Sequence, residues 1–399
     1  MRQPDSWDAA LAFVFAASVA LCLVPAAELL ARRIGAMDIP KERSLHEVPT
    51  PKLGGLAILL AVIGAILIWL PWNDTTQAIL AGAVAITLLG VVDDVFELPP
   101  LPKLIGQIGA ALIPVIAGDV RVENLTLPFL GGIDLGWASY PLTVIGIVAV
   151  INIINFIDGV DGLASGVCAI SAAALAVIAL SLDRYEAGVL AALTAGASLG
   201  FLRHGFPPAS SFMGDTGSNL LGYLLATVAV QGSLKTNAVV ALVLPLMVLA
   251  VPILDTGFVV AKRVKYRQPF YRADREHFHH RMARIGFSQR RTIAYLYGWT
   301  VVLAAVALAL RLIPYSDNHG NFDAPWAALM AALLIGALAA SIYVIDVLEI
   351  FKLRSIRWRQ LLARRGPAEP PPDPEEVDAR VERELETGEM EAVSSKPRS

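Results

Sequence analysis

Long apolar runs separated by short polar breaks dominate the chain. A transmembrane helix that rises 1.5 Å per residue needs about 20 apolar residues to cross about 30 Å of hydrocarbon. Eleven runs approach this length, at residues 9–30, 53–71, 76–92, 101–118, 138–155, 162–181, 186–202, 217–231, 237–261, 291–313 and 325–350. The pattern predicts an all-α polytopic membrane protein with about eleven transmembrane helices.

Composition agrees with this prediction and narrows the functions to consider. Apolar residues make up 56% of the chain and charged residues 17%, and the mean hydropathy is +0.60. The net charge of −3 is misleading, because the tail after Gly366 is acidic while the loops before it contain most of the Lys and Arg; we do not expect nucleic acid as a partner. Cys22 and Cys168 lie in apolar runs without Cys or His neighbours, so we expect neither a disulfide nor a zinc site. The first run lacks a cleavage signal and is predicted to be retained.

The distribution of positive charge predicts an orientation. Lys and Arg concentrate in alternate loops, and ten of them lie between Lys262 and Arg291. Because cytoplasmic loops are enriched in Lys and Arg, the N-terminus is predicted outside and the C-terminus in the cytoplasm. Residues 1–350 are expected to form one transmembrane domain, and residues 351–399 a cytoplasmic tail, first basic and then acidic, that is disordered or a lone charged helix. Alternating apolar positions and a Gly-Gly pair predict a small external hairpin near residues 119–136.

Five aspartates stand beside the apolar runs, which is an energetically unfavourable position. They are Asp93, Asp94, Asp158, Asp161 and Asp215, in the segments GVVDDVFELPPLPK, NIINFIDGVDGLASG and SFMGDTGSNLLGY. A carboxylate at the centre of a membrane helix costs about 2.5 to 3.5 kcal/mol even on insertion scales, so the five acids require a water-filled cavity, a metal or a substrate. All three segments fall on the predicted cytoplasmic side, which indicates one shared site.

The first acidic pair, Asp93 and Asp94, closes the third run. Adjacent residues on a helix point about 100° apart, so one acid is expected to face a metal or phosphate while a neighbouring group holds the other. The alternative is a solvated helix end.

A polar residue at every third position follows in Asn152, Asn155, Asp158 and Asp161. This spacing of three would align the four side chains on one stripe if the helix continued. Gly159 and Gly162 could instead open the backbone into a loop that approaches a ligand. A polar seam between helices is the alternative without function.

The last acid, Asp215, precedes Thr216, Ser218 and Asn219 at the predicted start of the eighth helix. Asp and Ser are good helix N-caps, and a helix N-terminus also attracts phosphate, so a capping role and a binding role are both compatible with this position.

A histidine cluster lies in the most basic loop, in the segment DREHFHHRMARIGF. His277, His279 and His280 have a spacing typical of metal ligands, but the surrounding arginines, including Arg281, favour an anionic substrate over a bare divalent cation. A basic patch on anionic lipid is the alternative. Asp255, inside the ninth run, is interpreted as a support for the site, and Lys52, Lys103 and Gln107 as weaker candidates.

Taken together, the candidates supply acids for a divalent cation and cations for phosphate. No activated Ser or Cys nucleophile accompanies them in the sequence. Mg²⁺, with Mn²⁺ as an alternative, suits this set because it binds through one or two carboxylates plus phosphate oxygens. Phosphoryl transfer, which depends on positioning and charge neutralisation, is the chemistry these residue types favour.

These segments resemble the polyprenyl-phosphate N-acetylhexosamine-1-phosphate transferases. The resemblance runs from about Arg43 to Arg284, through PTPKLGG, LGVVDDVFELPPLPKLIGQ, NIINFIDGVDGLASG, SFMGDTGS and DREHFHHR in this order. It implies a catalytic domain in the bacterial inner membrane, with its site at the cytoplasmic face. The implied reaction transfers a sugar 1-phosphate from a UDP-N-acetylhexosamine to undecaprenyl or decaprenyl phosphate with Mg²⁺ and releases UMP. A homodimer is also expected from the resemblance.

The resemblance also implies a role for each candidate residue. Asp93 is similar to the proposed base that deprotonates the lipid phosphate, although it could act chiefly on the metal, and Asp94 stands beside it. Asp215 matches the metal-ligating aspartate, and Asp93 is the second candidate ligand. The substrate-binding candidates are Lys52, Lys103, Asn155, Asp158, Asp161, Phe212, His277, His279, His280 and Arg281.

Three rival functions are weighed against this hypothesis. The interrupted, basic histidine motif resembles the N-acetylglucosamine branch more than the phospho-MurNAc-pentapeptide branch. A secondary transporter would place acids such as Asp158, Asp161 and Asp255 near the bilayer midplane and on both halves of a repeat. A CDP-alcohol phosphotransferase would need further acids within one helix pair, which DGVDGLASG lacks.

Overall fold

The apolar runs form helices in the computed structural model, which describes residues 4–39, 49–127, 131–233, 248–254, 288–313, 323–342 and 373. The helices are α1 (Ser6–Ile34), α2 (Gly54–Trp69), α3 (Asp74–Phe96), α4 (Pro100–Ala117), α5 (Ser139–Ile157), α6 (Leu163–Leu180), α7 (Tyr185–Gly205), α8 (Gly214–Ser233), α9 (Gln289–Leu312) and α10 (Ala324–Ile342). Within these ranges, eight helices are long and apolar enough to cross a membrane, and α2 is a shorter apolar helix. The predicted all-α, multi-pass membrane architecture is confirmed. The ninth predicted run, 237–261, lies mostly outside the described residues, so the total of eleven stays a prediction.

Helix starts follow local capping chemistry. The Asp5 side chain accepts hydrogen bonds from the backbone N–H groups of Trp7 and Asp8, and Asp8 accepts one from Asp5 in return. This capping box satisfies donors that the first turn of α1 leaves free. Asn73 caps α3 in a similar way through Thr76.

Helix α8 occupies the centre of the bundle. It packs against α2, α3, α5, α6 and α7. Its side chains Leu221 and Tyr223 are fully buried, and the Tyr223 hydroxyl donates to the carbonyl oxygen of Ile79 on α3 at 3.0 Å. Large apolar side chains such as Ile105 and Ile145 remain exposed on the outside of the bundle. Exposed apolar side chains on helices of this length fit a lipid-facing surface.

The first eight helices alternate in direction. Residues from the C-terminal ends of α3, α5 and α7, from the loop that leads into α6, and from the N-terminal ends of α4 and α8 line a single cleft. At the other end of the bundle, Thr75 donates to the carbonyl oxygen of Gly118 at 2.9 Å and Asn73 to Glu186 at 3.5 Å. The alternation therefore gathers the loops that contain the predicted aspartates at one end.

Two small antiparallel hairpins complete the described part. Strands β1 (Met37–Asp38) and β2 (Thr50–Pro51) pair Met37 with Pro51 and place the following residue, Lys52, at the cleft. Strands β3 (Asn124–Leu127) and β4 (Gly131–Asp134) form the hairpin predicted near residues 119–136. The second hairpin follows α4, whose first turn is at the cleft, so it lies at the opposite end of that helix.

Candidate active site

A tight turn between α3 and α4 brings the Asp93 carboxylate next to the Lys103 ammonium group. Glu97 adopts a left-handed conformation with φ of 49° after α3, and Pro100 begins α4, where its fixed φ suits the first helical position. Asp93 accepts a hydrogen bond from the backbone N–H of Leu98 at 2.8 Å. Its other oxygen, Oδ2, lies 2.8 Å from Lys103 Nζ.

The Lys103 ammonium group is shared between two acids from different helices. Lys103 Nζ lies 2.6 Å from Asp215 Oδ2 as well as 2.8 Å from Asp93 Oδ2, and it is 3.4 Å from Asn155 Oδ1. The Lys103 side chain is 17% exposed and that of Asp93 only 7%. Charged hydrogen bonds with this degree of burial are stronger than exposed ion pairs. The two carboxylates therefore converge on one cationic position.

Asn155 links this cluster to α8. Its side-chain nitrogen Nδ2 donates to Asp215 Oδ1 and, at 2.9 Å, to Ser218 Oγ. Helix α5 ends at Ile157, so Asp158 does not continue the helical stripe that begins with Asn152 and Asn155. The alternative in which glycines open the backbone into a loop is the one observed.

Asp94 faces a different group from Asp93, as expected for adjacent positions on a helix. Asp94 Oδ1 accepts from the backbone N–H of Asp215 at 2.9 Å, and Oδ2 accepts from the backbone N–H and the hydroxyl of Thr216 at 3.0 and 2.6 Å. Asp94 thus caps the N-terminus of α8 from another helix. Asp215, which lies inside the first turn, leaves its own carboxylate free for Lys103 and Asn155.

Glycines allow this close approach of α3 and α2 to α8. A Cβ atom added at Gly90 would lie 2.5 Å from the backbone nitrogen and Cα of Thr216, and one added at Gly55 would overlap the backbone of Gly217. Gly214 begins α8 with φ of 66°, in the left-handed region that glycine adopts without strain. The backbone at the start of α8 is therefore held on several sides.

The loop after α5 contains the remaining two aspartates. Asp161 Oδ2 accepts a hydrogen bond from the backbone N–H of Ala209 at 3.1 Å, which ties this loop to the segment before α8. Burial raises the pKa of the Asp158 carboxyl well above its ordinary value, and the negative charges of Asp215, Asp94 and Asp161 raise it further. Both side chains line the cleft.

A buried layer of amides lies one helical turn before Asn155 on α5. Asn152 Nδ2 donates to Gln107 Oε1 at 2.7 Å, and Gln107 Nε2 lies 3.4 Å from Asn219 Oδ1. Gln107 and Asn219 are fully buried. The sequence alone did not reveal the contacts of Ser218 and Asn219, because polar residues after Asp215 are equally expected at the start of any helix.

The cleft has a volume of about 880 Å³ and combines charged and apolar walls. Lys52 Nζ lies 3.3 Å from Asp38 Oδ1 at its edge, and Phe212 lines it beside Asp215. Apolar side chains such as Leu104 and Phe156 line another part. The predicted residues Asp93, Asp94, Lys52, Lys103, Asn155, Asp158, Asp161, Phe212 and Asp215 thus share one cavity. His277, His279, His280, Arg281 and Asp255 lie outside the described residues.

Comparison with known proteins gives a family match over a stretch of the chain that contains most of these residues. The model of glycosyl transferase family 4 matches residues 76–233. The chain is 37% identical over 302 residues to the probable undecaprenyl-phosphate N-acetylglucosaminyl 1-phosphate transferase of Bacillus subtilis, covering 75% of this chain and 84% of that protein.

Two further relatives are informative. The decaprenyl-phosphate N-acetylglucosaminephosphotransferase of Mycobacterium tuberculosis is 35% identical over 307 residues, covering 69% of this chain and 76% of that protein. The phospho-N-acetylmuramoyl-pentapeptide-transferase of Bacillus subtilis is 28% identical over 283 residues, covering 66% and 84%. On the strength of the family match and these similarities, the chain belongs to glycosyl transferase family 4.

Proposed function

We propose that this protein transfers N-acetylglucosamine 1-phosphate from UDP-N-acetylglucosamine to undecaprenyl or decaprenyl phosphate and releases UMP, as a first membrane step toward a cell-envelope polysaccharide. The observation that carries the proposal is the convergence of Asp93, Lys103 and Asp215 in a cleft with both charged and apolar walls. Such a cleft suits an acceptor with an anionic head and a hydrocarbon tail. The names and identities of the relatives support the same reaction.

In this reaction an oxygen of the lipid phosphate attacks the β-phosphorus of the UDP-sugar. The bond from that phosphorus to the oxygen bridging the two phosphates breaks, and its electron pair leaves with UMP. Asp93 would take the proton of the lipid phosphate, a role supported by its position in the cleft, where Leu98 N–H holds one oxygen and the other faces the cluster. The positive charge of Lys103 would stabilise the negative charge of the substrate phosphate groups.

The acids also fit a divalent cation. Asp93 Oδ2 and Asp215 Oδ2 both lie within hydrogen-bond distance of one cationic nitrogen, so they already define a position that favours positive charge. Within the described ranges no group of three or more His, Cys, Asp or Glu side chains forms a metal site. Two carboxylates completed by substrate phosphate oxygens suit Mg²⁺, or Mn²⁺ in its place. Asp215 and Asp93 would hold the ion, which when bound would neutralise the pyrophosphate of the donor.

The remaining substrate contacts are proposed from the cleft and the sequence. Asn155, Asp158, Asp161 and Phe212 would bind the nucleotide, and Lys52 would contact a phosphate group at the edge of the cleft. His277, His279, His280 and Arg281 would recognise the sugar, in keeping with the basic character of their segment. The N-acetylglucosamine donor is favoured over the pentapeptide donor because relatives named for N-acetylglucosamine are 37 and 35% identical over 75 and 69% of this chain. The pentapeptide enzymes are 28% identical over 66% of it in Bacillus subtilis and 34% identical over only 48% of it in Caldanaerobacter subterraneus.

The topology belongs to the same proposal. It comprises eleven spans, an external N-terminus, a catalytic domain over residues 1–350 and a cytoplasmic tail over 351–399. The cleft would open to the cytoplasm, where UDP-sugars are made, in the bacterial inner membrane. A homodimer is expected from the family resemblance. The transporter alternative is not favoured, because the five candidate aspartates line one cleft formed by helix ends and the loops between them, at one end of the bundle.

A donor panel tests the function. Purified protein is incubated with undecaprenyl phosphate and UDP-GlcNAc, UDP-MurNAc-pentapeptide or other UDP-N-acetylhexosamines, and UMP release is measured. We expect release with UDP-GlcNAc, dependent on added Mg²⁺ and lost with EDTA. Absence of release with every donor would contradict the proposal, and release with the pentapeptide donor alone would move the protein to the other branch.

A further inference from the structure

Helix α9 touches both segments that form one wall of the cleft. These segments, residues 158–162 and 206–213, contribute Asp158, Asp161 and Phe212 to the cavity, and together they are called the loop wall. The N–H of Ala209 donates to Asp161, so the two segments are already joined to each other. No motif in the sequence singles out α9, and its residues do not line the described cavity.

The first contact is made by Tyr297. Its hydroxyl donates to the carbonyl oxygen of Gly162 at 2.5 Å. The same oxygen accepts from the backbone N–H of Gly166 at 3.0 Å and from Ser165 Oγ at 3.1 Å. Gly162 has a φ of +73° and Gly166 lies directly under the Tyr297 ring, where an added Cβ would overlap it. The glycine spacing in DGLASG therefore creates a slot for one tyrosine.

The second contact is made by Arg290, which lies nearer the start of α9. Its Nε and Nη2 atoms both donate to the carbonyl oxygen of Pro207, at 3.3 and 3.2 Å. A guanidinium group that points two donors at one acceptor restricts that acceptor in direction as well as distance. Arg290 thus fixes the second segment of the loop wall while Tyr297 fixes the first.

We propose that Tyr297 and Arg290 are positioning residues that hold the loop wall at its distance from the charged cluster, and so set the affinity for the nucleotide part of the donor. They act through the Gly162 and Pro207 carbonyls and do not contact substrate. This inference rests on the proposed function, in which the loop wall binds the nucleotide. Neither residue contacts Asp93, Lys103 or Asp215, so the chemical step and acceptor binding should be largely unaffected.

Steady-state kinetics of Tyr297→Phe and Arg290→Ala test the proposal. Loss of one such hydrogen bond should raise KM for UDP-GlcNAc about threefold to tenfold, while kcat and KM for undecaprenyl phosphate change less than about twofold. Arg291→Ala, on the same helix, is the matched control and should leave all three constants unchanged. Arg290→Lys, which keeps one donor, should recover part of the affinity.

The competing outcomes are separated by two further measurements. Thermal melting identifies a variant that fails to fold, and calorimetric binding of UDP gives the nucleotide affinity without turnover. Wild-type turnover in the same assay tests the proposed function, whereas the variant-to-wild-type ratio of UDP affinity tests this inference even if another donor is used. An unchanged UDP affinity in Tyr297→Phe and Arg290→Ala overturns the inference. So does a parallel change in kcat, both KM values and melting temperature, which would indicate a merely structural role.

Discussion

At the scale of single residues, the division of labour between Asp93 and Asp94 is the clearest feature of the cleft. One helical step separates them, yet Asp93 faces Lys103 and Asp94 faces the backbone of α8. The first acid is paired with a cation in the cleft, and the second satisfies donors that the start of a helix leaves free. Two adjacent aspartates therefore have different physical roles.

This difference predicts different effects of the same substitution. Asp93→Asn keeps an oxygen for the Leu98 N–H but removes the charge beside Lys103, so UMP release should fall by at least about 100-fold with little change in melting temperature. Asp94→Asn removes one of two capping oxygens from α8, which is worth about 1 kcal/mol, so it should lower both melting temperature and activity. UMP release and thermal melting are measured together on each variant. Equal melting curves for the two variants would contradict the assignment.

The sequence predicted that the five aspartates share one site, and they line one cleft, but it did not predict which atoms they share. The cost of placing charge in a membrane singled out Asp93, Asp158 and Asp215 from the sequence, because buried charge needs a partner wherever it occurs. Lys103 was only a weak candidate, since a single lysine at the start of an apolar run is also what a membrane interface requires. Its bridging position depends on the tertiary arrangement of α3, α4 and α8. A contact among three helices cannot be inferred from the spacing of residues along the sequence.

At the scale of elements, helix ends extend past the apolar runs from which they were predicted. The run at 76–92 becomes α3 through Phe96, and the run at 217–231 becomes a helix from Gly214. The extra residues include Asp93, Asp94 and Asp215, which pair with Lys103 or cap α8 and so can remain helical despite their charge. A prediction from hydropathy alone ends a helix at the first charged residue, because hydropathy contains no information about the residue that pairs with that charge in the fold.

The packing of α3 on α8 gives a second prediction. Alanine is favoured over glycine in a helix by about 1 kcal/mol when space permits. At Gly90 the added methyl group would meet the backbone of Thr216, so Gly90→Ala should lower the melting temperature and UMP release by displacing Asp215 from Lys103. Gly109→Ala on α4, where nothing lies within 4 Å, is the matched control and should be neutral or slightly stabilising. A Gly90→Ala variant that behaves like Gly109→Ala would show that α8 is not held by this contact.

At the scale of the whole molecule, the cleft and the β3–β4 hairpin mark opposite ends of the bundle. Helix α4 begins at the cleft with Pro100 and ends at Ala117, and at 1.5 Å per residue this length is about 27 Å, close to the thickness of the hydrocarbon core. The alternating direction of the helices agrees with the grouping of loops into two faces that the Lys and Arg distribution predicts. Which end faces the cytoplasm is predicted from the Lys and Arg distribution.

Cysteine labelling tests this orientation. In a Cys22→Ser background, Asn124→Cys places a thiol on the exposed start of the hairpin and Glu97→Cys places one at the exposed edge of the cleft; Cys168 is fully buried. A membrane-impermeant maleimide should label residue 124 in intact cells, and residue 97 only after permeabilisation. Labelling of residue 97 alone in intact cells would invert the topology.

The close contacts around the first turn of α8 also constrain how such an enzyme can diversify. Gly55 and Gly90 place backbone directly against backbone near Asp215, so few side chains there can be exchanged to reshape the cavity. Inherited changes in sugar preference would have to accumulate in segments other than the start of α8, such as the histidine-containing segment that the proposed function assigns to sugar recognition. A new donor could then be accepted while the machinery that handles phosphate stays the same.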